Sequence, residues 1–462
     1  MRPVTFAELG QLTAASAVPF ELRLPETGAL SGWTCREILR VLPGRRLVVR
    51  AAMAGGDDVV LKLFYGSGHR RYCLREGRGL EWLAAAGLPV PDRLGRLTAC
   101  GLSGLILRYL PDVRPVLDVD QGALETLAEQ FGRLHAAGYR QTDQHLDNFV
   151  ISRGVVHALD GDGVRRRAPL GGRRAELDNL ALLAAQRAPR YDGGLPGLLA
   201  AYARGRGTPP PALGSFRRRL ARWRRVRMHR YLAKSRRNCS EFAVRREPGR
   251  TTYAVRGEGE GALLRLFARP LDRTAVEFLP GEVLKAGNSA TVVRTLDQPR
   301  LVVKRFNVKS FGHGLRRTLH RVPRYRRAWM YGQLLTLLDI PTARPMLLVE
   351  EQRLFWRGVA YLAQSDLGGL DLPAEVAARG LSEARCTEIA DLFSMLRSAG
   401  LCHGDTKASN FVVHQDRVHL IDLDAMRLSS RGTKADVRRF LANWSGPERA
   451  RLEKAFAEAG LL

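Results

Sequence analysis

The sequence predicts an α+β protein built from two related domains in tandem. A stretch of twelve residues occurs in two versions, YRQTDQHLDNFV at positions 139–150 and LCHGDTKASNFV at positions 401–412. Each version follows a helical pattern and precedes two short strand-like runs. A proline- and glycine-rich segment, RGRGTPPPAL at positions 204–213, lies between them and favours a domain boundary there.

The repeat extends beyond these twelve residues. Aligning Asp143 with Asp405 gives further identities at the same separation of 262 residues. They are Asn148 with Asn410, Phe149 with Phe411, Val150 with Val412, Asp160 with Asp422 and Asp162 with Asp424. With Asp143 and Asp405 counted, six identities share this separation. The probability that six identities arise by chance in one alignment register is on the order of 10⁻⁸. An internal duplication is the better explanation.

The elements around each copy follow the same order. Apolar residues at helical spacing precede both copies, and Gly138 or Gly400 stands at the predicted end of the helix. These apolar residues are Leu124, Leu127, Ala128, Phe131 and Leu134 in the first half and Ile389, Leu392, Phe393 and Leu396 in the second. After each copy, two β-branched and apolar runs predict a β-hairpin that ends at Asp160 or Asp422. The acidic residues are therefore expected to converge on one loop cluster.

A lysine stands within an apolar strand pattern in each half. Lys62 lies in DDVVLKLFYG and Lys304 lies in RLVVKRFNVK. Gly44 precedes the first lysine by 18 residues, and Gly287 precedes the second by 17. This spacing predicts two strands and a turn that lead into the strand with the lysine.

The composition and charge of the chain indicate what kind of partner it binds and where in the cell it is located. The chain has 462 residues, a formal net charge of +28 and a pI near 10.9, which predicts a polyanionic partner such as nucleic acid, an anionic membrane surface or a phosphate-rich substrate. The sequence shows no secretion leader and no apolar run of the ~20 residues needed to span a bilayer, so we expect a cytoplasmic protein. Six cysteines without a C-x-x-C pair indicate neither a zinc ribbon nor a redox site.

The segment 213–245 is predicted to be a basic helical connector between domains at 1–212 and 246–462. Its charged residues are Arg217, Arg218, Arg219, Arg222, Arg224, Arg225, Arg227, Arg230, Lys234, Arg236 and Arg237, and its apolar side is Leu220, Trp223, Val226, Met228, Tyr231 and Leu232. Two interpretations remain open. The helix lies on an anionic membrane surface, or it docks on its own domain with a solvated charged face.

Transfer of a phosphoryl group needs the residue types that the repeat supplies. A cation must hold the donor phosphates, oxygen ligands must hold Mg²⁺, and a carboxylate must orient the acceptor hydroxyl and take its proton. In each half a strand lysine, an Asp-x4-Asn loop and a later aspartate match these tasks. In an isolated Asp-x4-Asn motif, the aspartate and the asparagine usually serve as a helix cap and a turn residue. The fixed spacing and the duplication favour the catalytic interpretation.

These motifs resemble the protein-kinase-like fold, and in detail the bacterial lipopolysaccharide core kinases that phosphorylate heptose or Kdo sugars. The resemblance rests on HGDTKASNF followed by LIDLD, on LKAGNSATVV, LVVKRFNVK and IPTARP in the second half, and on LREGRGLEWLAAAGLPVP and TDQHLDNFVI in the first. It covers most of both halves. It implies two tandem kinase-like domains, each with a small strand-rich lobe and a larger helical lobe, and it implies ATP and Mg²⁺ as cofactors.

The resemblance also implies roles for individual residues. In the second half Asp405 is the catalytic-loop aspartate, Asn410 and Asp422 are the metal ligands, Lys304 is the nucleotide-phosphate lysine and Gly287 marks the turn over the nucleotide. In the first half the same roles fall on Asp143, Asn148, Asp160, Lys62 and Gly44, and Glu76 resembles the helix glutamate that pairs with the lysine.

Each half departs from the family pattern in a different place. The second half has Ala328 where the helix glutamate is expected, so the partner of Lys304 is open. The first half has Gln141 in place of His403, and Arg45 and Arg46 crowd its glycine turn. Three further sets are ambiguous between site and scaffold. They are Asp162 and Asp424 beyond the metal aspartates, Asp178 and Asp436 as braces of the catalytic loop, and Trp329 with Arg324, Arg326 and Arg327 as an acceptor groove.

The function expected from these observations is ATP- and Mg²⁺-dependent phosphorylation of a sugar hydroxyl in the lipopolysaccharide inner core. The acceptor would be a lipid A-core molecule at the cytoplasmic face of the inner membrane, where the basic connector could make peripheral contact. Three alternatives remain. One half is a pseudokinase that supports the other, the acceptor is a protein, or the chain is a non-enzymatic polyanion-binding protein. Nucleic acid is not favoured because no aromatic-basic RNA motif is present.

Overall fold

The computed structural model describes residues 2–13, 16–23, 31–53, 55–116, 121–166, 172–267, 278–307, 322–353, 356–429 and 432–462. The chain divides into two compact units. The first, called unit 1, consists of residues 1–186 and 193–220, and the second, called unit 2, consists of residues 187–192 and 221–462. Both units contain a sheet and a set of helices, so the expected α+β class is confirmed.

Unit 1 begins with a sheet of seven described strands. They are β1 (Arg2–Thr5), β2 (Phe20–Arg23), β3 (Ser31–Leu42), β4 (Arg46–Ala52), β5 (Val59–Tyr65), β6 (Arg93–Ala99) and β7 (Leu102–Arg108), in the spatial order β1-β2-β3-β4-β5-β7-β6. The pairing is antiparallel except between β1 and β2. Helix α1 (His69–Ala85) packs on β5 and β7.

The rest of unit 1 is mainly helical with two small sheets. The elements are β8 (Arg114–Pro115), α2 (Gln121–Ala136), β9 (Tyr139–Gln141), β10 (Phe149–Ser152), β11 (Val155–Ala158), β12 (Val164–Arg166), α3 (Gly172–Ala184), α4 (Leu195–Arg206) and the start of α5 (Leu213–Lys234). Strands β10 and β11 form the predicted hairpin, and β9 pairs with β12. Helix α2 buries the five predicted apolar residues and packs against α4.

Unit 2 has a sheet of seven described strands, all antiparallel. They are β13 (Phe242–Glu247), β14 (Arg250–Val255), β15 (Gly281–Ala286), β16 (Ala290–Thr295), β17 (Leu301–Phe306), β18 (Pro345–Arg353) and β19 (Trp356–Ser365), in the order β13-β14-β18-β19-β17-β16-β15. Helix α6 (Glu258–Leu266) follows β14, and α7 (Arg324–Leu337) packs on β18 and β19.

The remainder of unit 2 repeats the plan of unit 1. Its elements are β20 (Leu370–Asp371), α8 (Leu372–Arg379), α9 (Glu383–Ala399), β21 (Leu401–Cys402), β22 (Phe411–His414), β23 (Arg417–Leu420), β24 (Arg427–Leu428), α10 (Thr433–Leu441) and α11 (Gly446–Glu458). Strands β22 and β23 form the second predicted hairpin. Gly400 caps α9 in the left-handed conformation (φ 68°), as the sequence predicted.

Five strands in each sheet share one topology. Strands β3, β4, β5, β7 and β6 are adjacent in that order, and β15, β16, β17, β19 and β18 repeat the order in unit 2. Along the chain, α1 lies between β5 and β6, and α7 lies between β17 and β18. The two sheets therefore share the order of these five strands.

Helix α5 spans the predicted connector, and the division between the units falls inside it, after Leu220. Its residues Met228 and Leu232 belong to the hydrophobic core of unit 2, which favours the docked interpretation of its apolar face. Arg224 is one of the charged residues of the connector, but its side chain is buried and does not lie on a solvated charged face. Its guanidinium nitrogens lie 2.7 and 2.9 Å from Asp192 and 3.2 Å from the carbonyl oxygen of Ser398. No described helix is long and apolar enough to cross a membrane.

Candidate active site

The loop of unit 2 that contains Asp405 and Asn410 lies between β21 and β22. The carboxylate of Asp405 is 35% exposed and faces a cavity of about 750 Å³. The side-chain nitrogen of Asn410 donates to the backbone oxygen of Asp405 at 2.8 Å, and it lies 3.4 Å from Oδ2 of the same residue. With its nitrogen so used, Oδ1 is the atom of the Asn410 amide that a metal ion would take. Asp405 and Asn410 are thus held together, as their spacing predicted.

A buried aspartate holds the backbone of this loop in place through hydrogen bonds. Asp436, on α10, accepts hydrogen bonds from the backbone nitrogens of His403 at 2.7 Å and Gly404 at 3.1 Å. Burial lowers the pKa of His403 and keeps its ring neutral. Its Nδ1 accepts from the backbone nitrogen of Asp405 at 3.3 Å, so Nε2 is the donor to the Ile421 carbonyl oxygen at 3.0 Å. The loop that presents Asp405 is therefore tied to the strand that delivers Asp422.

In unit 1 a residue next to Asp178 contacts the loop. Asp178 itself, left open between a brace and a first-turn acid, pairs with Arg219 at 2.9 Å. The adjacent residue, Asn179, donates from its amide to the backbone oxygen of Gln141 at 2.8 Å. Gln141, at the position of His403, donates to the backbone oxygen of Asp160 at 2.9 Å. An amide thus replaces the imidazole as the link to the metal-aspartate strand.

Lys304 of unit 2 finds its partner in Asp422, which answers the question raised by Ala328. The ammonium nitrogen lies 2.5 Å from Oδ1 of Asp422 and 3.4 Å from Oδ2 of Asp424. Burial alone would raise the pKa of Asp422, but the charge and hydrogen bond of Lys304 outweigh it and lower the pKa. Asp422 adopts a left-handed backbone conformation (φ 57°, ψ 56°) that non-glycine residues rarely use, which commonly marks functional loops.

Arg324 is a residue of this cavity whose role the sequence left open. Its Nη2 lies 2.8 Å from Oδ2 of Asp424, so Asp424 stabilises the loop between two cations. For Trp329 and Arg326 the structure favours the second interpretation, a packed helix face, over an acceptor groove. Trp329 is buried and donates from Nε1 to the Ser235 carbonyl oxygen at 2.9 Å, while Arg326 forms a two-pronged pair with buried Glu350 at 2.5 and 2.6 Å. These side chains belong to the packed face of α7.

The predicted residues of unit 2 line one cavity, and they suit ATP and Mg²⁺. Lys304, Asp405, Asn410 and Asp422 share the cavity wall, whose volume is within the range of ligand sites. The described residues contain no cluster of three or more His, Cys, Asp or Glu able to hold a metal alone. Mg²⁺ needs none, since it is usually bound by one or two carboxylates together with substrate phosphates. Gly287 lies in the β15–β16 turn but not on the wall, where Ser289 and Ala290 stand instead.

Unit 1 forms the lysine–glutamate pair that the sequence predicted. The ammonium of Lys62 lies 2.6 Å from Oε1 of Glu76 and 2.6 Å from the Leu159 carbonyl oxygen. Glu76 also accepts from the backbone nitrogens of Gly161 and Asp162 at 3.3 and 3.1 Å. Burial raises the pKa of Glu76 to about 7, with Lys62 opposing it. The pair therefore joins the sheet, α1 and the aspartate loop.

The cavity of unit 1 is smaller and differently charged. Its volume is about 310 Å³, and Lys62, Asn148 and Asp160 line it. Burial would raise the pKa of Asp160, but Lys62 and several hydrogen bonds lower it to about 2. Asp143 is exposed and does not line the cavity, although Asn148 donates to its backbone oxygen at 3.2 Å. The structure thus brings Lys62, Asn148 and Asp160 together at this cavity and leaves the exposed Asp143 side chain outside it.

Arg46 occupies the metal end of this smaller cavity. Its Nη1 lies 3.7 Å from Oδ2 of Asp160, so a guanidinium stands beside the carboxylate that would bind a metal ion. Gly44 lies in the tight β3–β4 turn with a φ of 71°, and it does not line the cavity. Asp162 pairs with Arg75 at 2.7 Å and acts as a loop stabiliser. The cavity of unit 1 therefore has two cations, Lys62 and Arg46, near the carboxylate that the resemblance assigned to a metal ion.

Comparison with known proteins assigns the region that contains most of the unit 2 site. Residues 315–443 match the model of the lipopolysaccharide kinase (Kdo/WaaP) family. This part of the chain is therefore similar to lipopolysaccharide kinases. Asp405, Asn410 and Asp422 fall inside the matched range, and Lys304 precedes it. The family makes the protein a phosphotransferase with a sugar hydroxyl as acceptor.

Two solved structures resemble this chain weakly. One is WaaP in complex with acyl carrier protein, at 19% identity and a TM-score of 0.31, with coverage of 44% of this chain and 89% of that one. The other is the PknI kinase domain of Mycobacterium tuberculosis, at 21% identity and a TM-score of 0.26, with coverage of 42% and 85%. None of the curated proteins matches the chain.

Proposed function

We propose that unit 2 transfers the γ-phosphoryl group of ATP to a heptose or Kdo hydroxyl in the lipopolysaccharide inner core. The observation that supports this most strongly is the convergence of Lys304, Asp405, Asn410 and Asp422 on one cavity, with the ammonium of Lys304 2.5 Å from Asp422. A cation for phosphates and an oxygen ligand for a metal are thus adjacent, as phosphoryl transfer requires.

Each residue has a separate task in this proposal. Asp405 accepts a hydrogen bond from the acceptor hydroxyl and takes its proton as the new oxygen–phosphorus bond forms and ADP leaves. Asn410 and Asp422 would hold Mg²⁺, which neutralises charge on the phosphates when it is bound. Lys304 binds the donor phosphates, and the brace from Asp436 keeps Asp405 oriented. The protein thereby positions the reactants and stabilises developing charge.

The acceptor is proposed from charge and family. Inner-core lipopolysaccharide carries phosphate and carboxylate groups, which complement a chain with a net charge of +28. Exposed arginines on α5, among them Arg217, Arg222 and Arg230, are a candidate contact with the anionic cytoplasmic face of the inner membrane. We place the protein in the cytoplasm with peripheral contact of this kind.

Unit 1 is proposed to be a second kinase-like domain that supports unit 2. Its shared strand order and its Lys62–Glu76 pair favour the tandem arrangement. The displacement of Asp143 from the cavity and the presence of Arg46 beside Asp160 favour the pseudokinase alternative over a second active site. The proposed domains are those expected from the sequence, 1–212 and 246–462, joined by 213–245.

The substrate class is tested by mass spectrometry of acceptors incubated with the intact chain, ATP and Mg²⁺. Lipid A-core, the same acceptor truncated to Kdo, and a lipid A without sugar core are compared side by side. We expect one phosphoryl group on acceptors that retain the modified sugar and none on lipid A alone. Phosphorylation of added protein but of no core acceptor would move the assignment to a protein kinase. Absence of product with folded enzyme would contradict the proposed acceptor.

A further inference from the structure

Arg46 stands where unit 2 has an alanine. In unit 1, β4 pairs with β5 so that Val48 lies opposite Lys62 and Arg46 lies opposite Phe64. In unit 2 the corresponding register sets Val292 opposite Lys304 and Ala290 opposite Phe306. Arg46 and Ala290 are therefore equivalent, two residues before the strand position that faces the lysine. Both line the cavity of their own unit.

The guanidinium of Arg46 is enclosed but not saturated. Its side chain is 12% exposed, and that of Asp160 is 9% exposed. The 3.7 Å between Nη1 and Oδ2 is an ion pair but is too long for a hydrogen bond. Among the described residues, the buried Nε of Arg46 has no hydrogen-bond partner. An arginine carries five N–H donors, so this side chain can still donate to an anionic ligand.

The cavity around Arg46 has a charged end and an apolar end. Lys62 and Arg46 form the cationic end beside Asp160. The rest of the wall includes the apolar side chains of Val48, Val60, Leu107, Leu110 and Leu159 together with Tyr109, and the charged residues Glu37, Arg40, Arg108 and Asp147 also line it. An apolar slot of this kind suits a flat nucleobase, while two cations suit a polyphosphate, and guanidinium groups bind phosphate by forked hydrogen bonds.

We propose that the cavity of unit 1 binds a nucleoside di- or triphosphate without a divalent metal, with Arg46 supplying the charge that Mg²⁺ supplies in unit 2. This rests on the proposed kinase-like character of unit 1, and it goes beyond it by assigning a ligand class and a metal requirement. The guanidinium beside Asp160 both neutralises that carboxylate and repels a cation at the same place. Asp143 does not reach the cavity, so the nucleotide is held and not consumed.

The test is calorimetric titration of ADP into the full chain with excess EDTA or with Mg²⁺. A Lys304→Ala background removes the phosphate lysine of unit 2, so the measured binding reports on unit 1. We expect binding that persists in EDTA. Because charge-assisted hydrogen bonds are the strong ones, Arg46→Met should weaken binding at least about tenfold. In the Arg46→Met variant Asp160 loses its cationic neighbour, so Mg²⁺ should restore part of the affinity for ADP. In the parent, which carries Lys304→Ala alone, Mg²⁺ should not increase that affinity.

Arg45→Met is the matched control. Arg45 is the preceding residue, is exposed and stacks on the ring of Tyr72, and it does not line the cavity. Its replacement should leave binding in EDTA unchanged. Arg46→Lys, which retains the charge, should bind more tightly than Arg46→Met, and thermal unfolding verifies that each variant is folded. Binding abolished by EDTA, or equal binding by Arg46→Met and Arg45→Met, would overturn the proposal. Neither result would affect phosphoryl transfer by unit 2, which is measured separately.

Discussion

Replacement of Asp436 by alanine should destabilise unit 2 and displace its catalytic loop. Asp436 is 2% exposed and accepts from the backbone nitrogens of His403 and Gly404. Alanine leaves the buried amide of His403 and the partly buried amide of Gly404 without this acceptor. An unsatisfied buried group costs about 1–3 kcal/mol, and the partly buried amide adds less, so the free energy of unfolding should fall by about 1–4 kcal/mol. Asp436→Asn retains one acceptor oxygen and should lose about half as much.

Urea unfolding and hydrogen exchange at the amides of residues 403–405 measure this effect. Exchange at those amides should accelerate together with a loss of phosphoryl transfer, because the same bonds orient Asp405. Glu453→Ala is the matched control, because the Glu453 carboxylate is exposed and pairs with exposed Arg449 on the same helix. That pair should contribute only about 0–1 kcal/mol. Equal destabilisation by Asp436→Ala and Glu453→Ala would refute the reasoning.

Two other predictions concern packing and pH. A Cβ on Gly79 would lie 1.8 Å from the carbonyl oxygen of Gly161, so Gly79→Ala should destabilise unit 1 by about 1–3 kcal/mol or more. Gly261→Ala, which meets nothing within 4 Å, should stabilise α6 by about 0.5–1 kcal/mol. Equal melting temperatures of the two variants would contradict this contrast. Burial lowers the pKa of His135 from its ordinary 6.5 to about 4. The unfolded chain then binds the proton first, and unit 1 loses up to about 3 kcal/mol of stability as the pH falls from 6.5 to 4. His135→Gln should flatten this part of the urea-midpoint profile and exposed His145→Gln should not; identical profiles would argue against the assignment.

Features of the site that depend on local pattern were predictable from the sequence. The strands with Lys62 and Lys304, both hairpins and the Asp-x4-Asn loops follow from periodicity and from the duplication. Glu76 is assigned through the family resemblance, on a helix-like stretch that follows the strand with Lys62. In these cases the interacting residues lie on strands, helices and loops that recur in the same order in both halves. The sequence pattern therefore predicts which of these elements are adjacent.

Features that depend on long-range pairing were not predictable. Lys304 pairs with Asp422, 118 residues later, because α7 offers Ala328 at the glutamate position. Arg224 is buried because Asp192 lies close enough to neutralise it, which no helical pattern reveals. The strand register that places Arg46 beside Asp160 also brings together residues that are distant in sequence. An arginine near a turn could have raised the question, but only the fold shows which carboxylate it meets.

The central claim is that unit 2 contains the phosphotransferase centre and that Asp405 acts in it. The most direct measurement is kcat for phosphoryl transfer from ATP to lipid A-core, compared among the intact chain, Asp405→Asn and Asp143→Asn. General-base catalysis contributes about 10²–10⁴-fold, so we expect a loss of that size from Asp405→Asn and almost none from Asp143→Asn. The reverse order, or equal activity of Asp405→Asn and the intact chain, would contradict the claim.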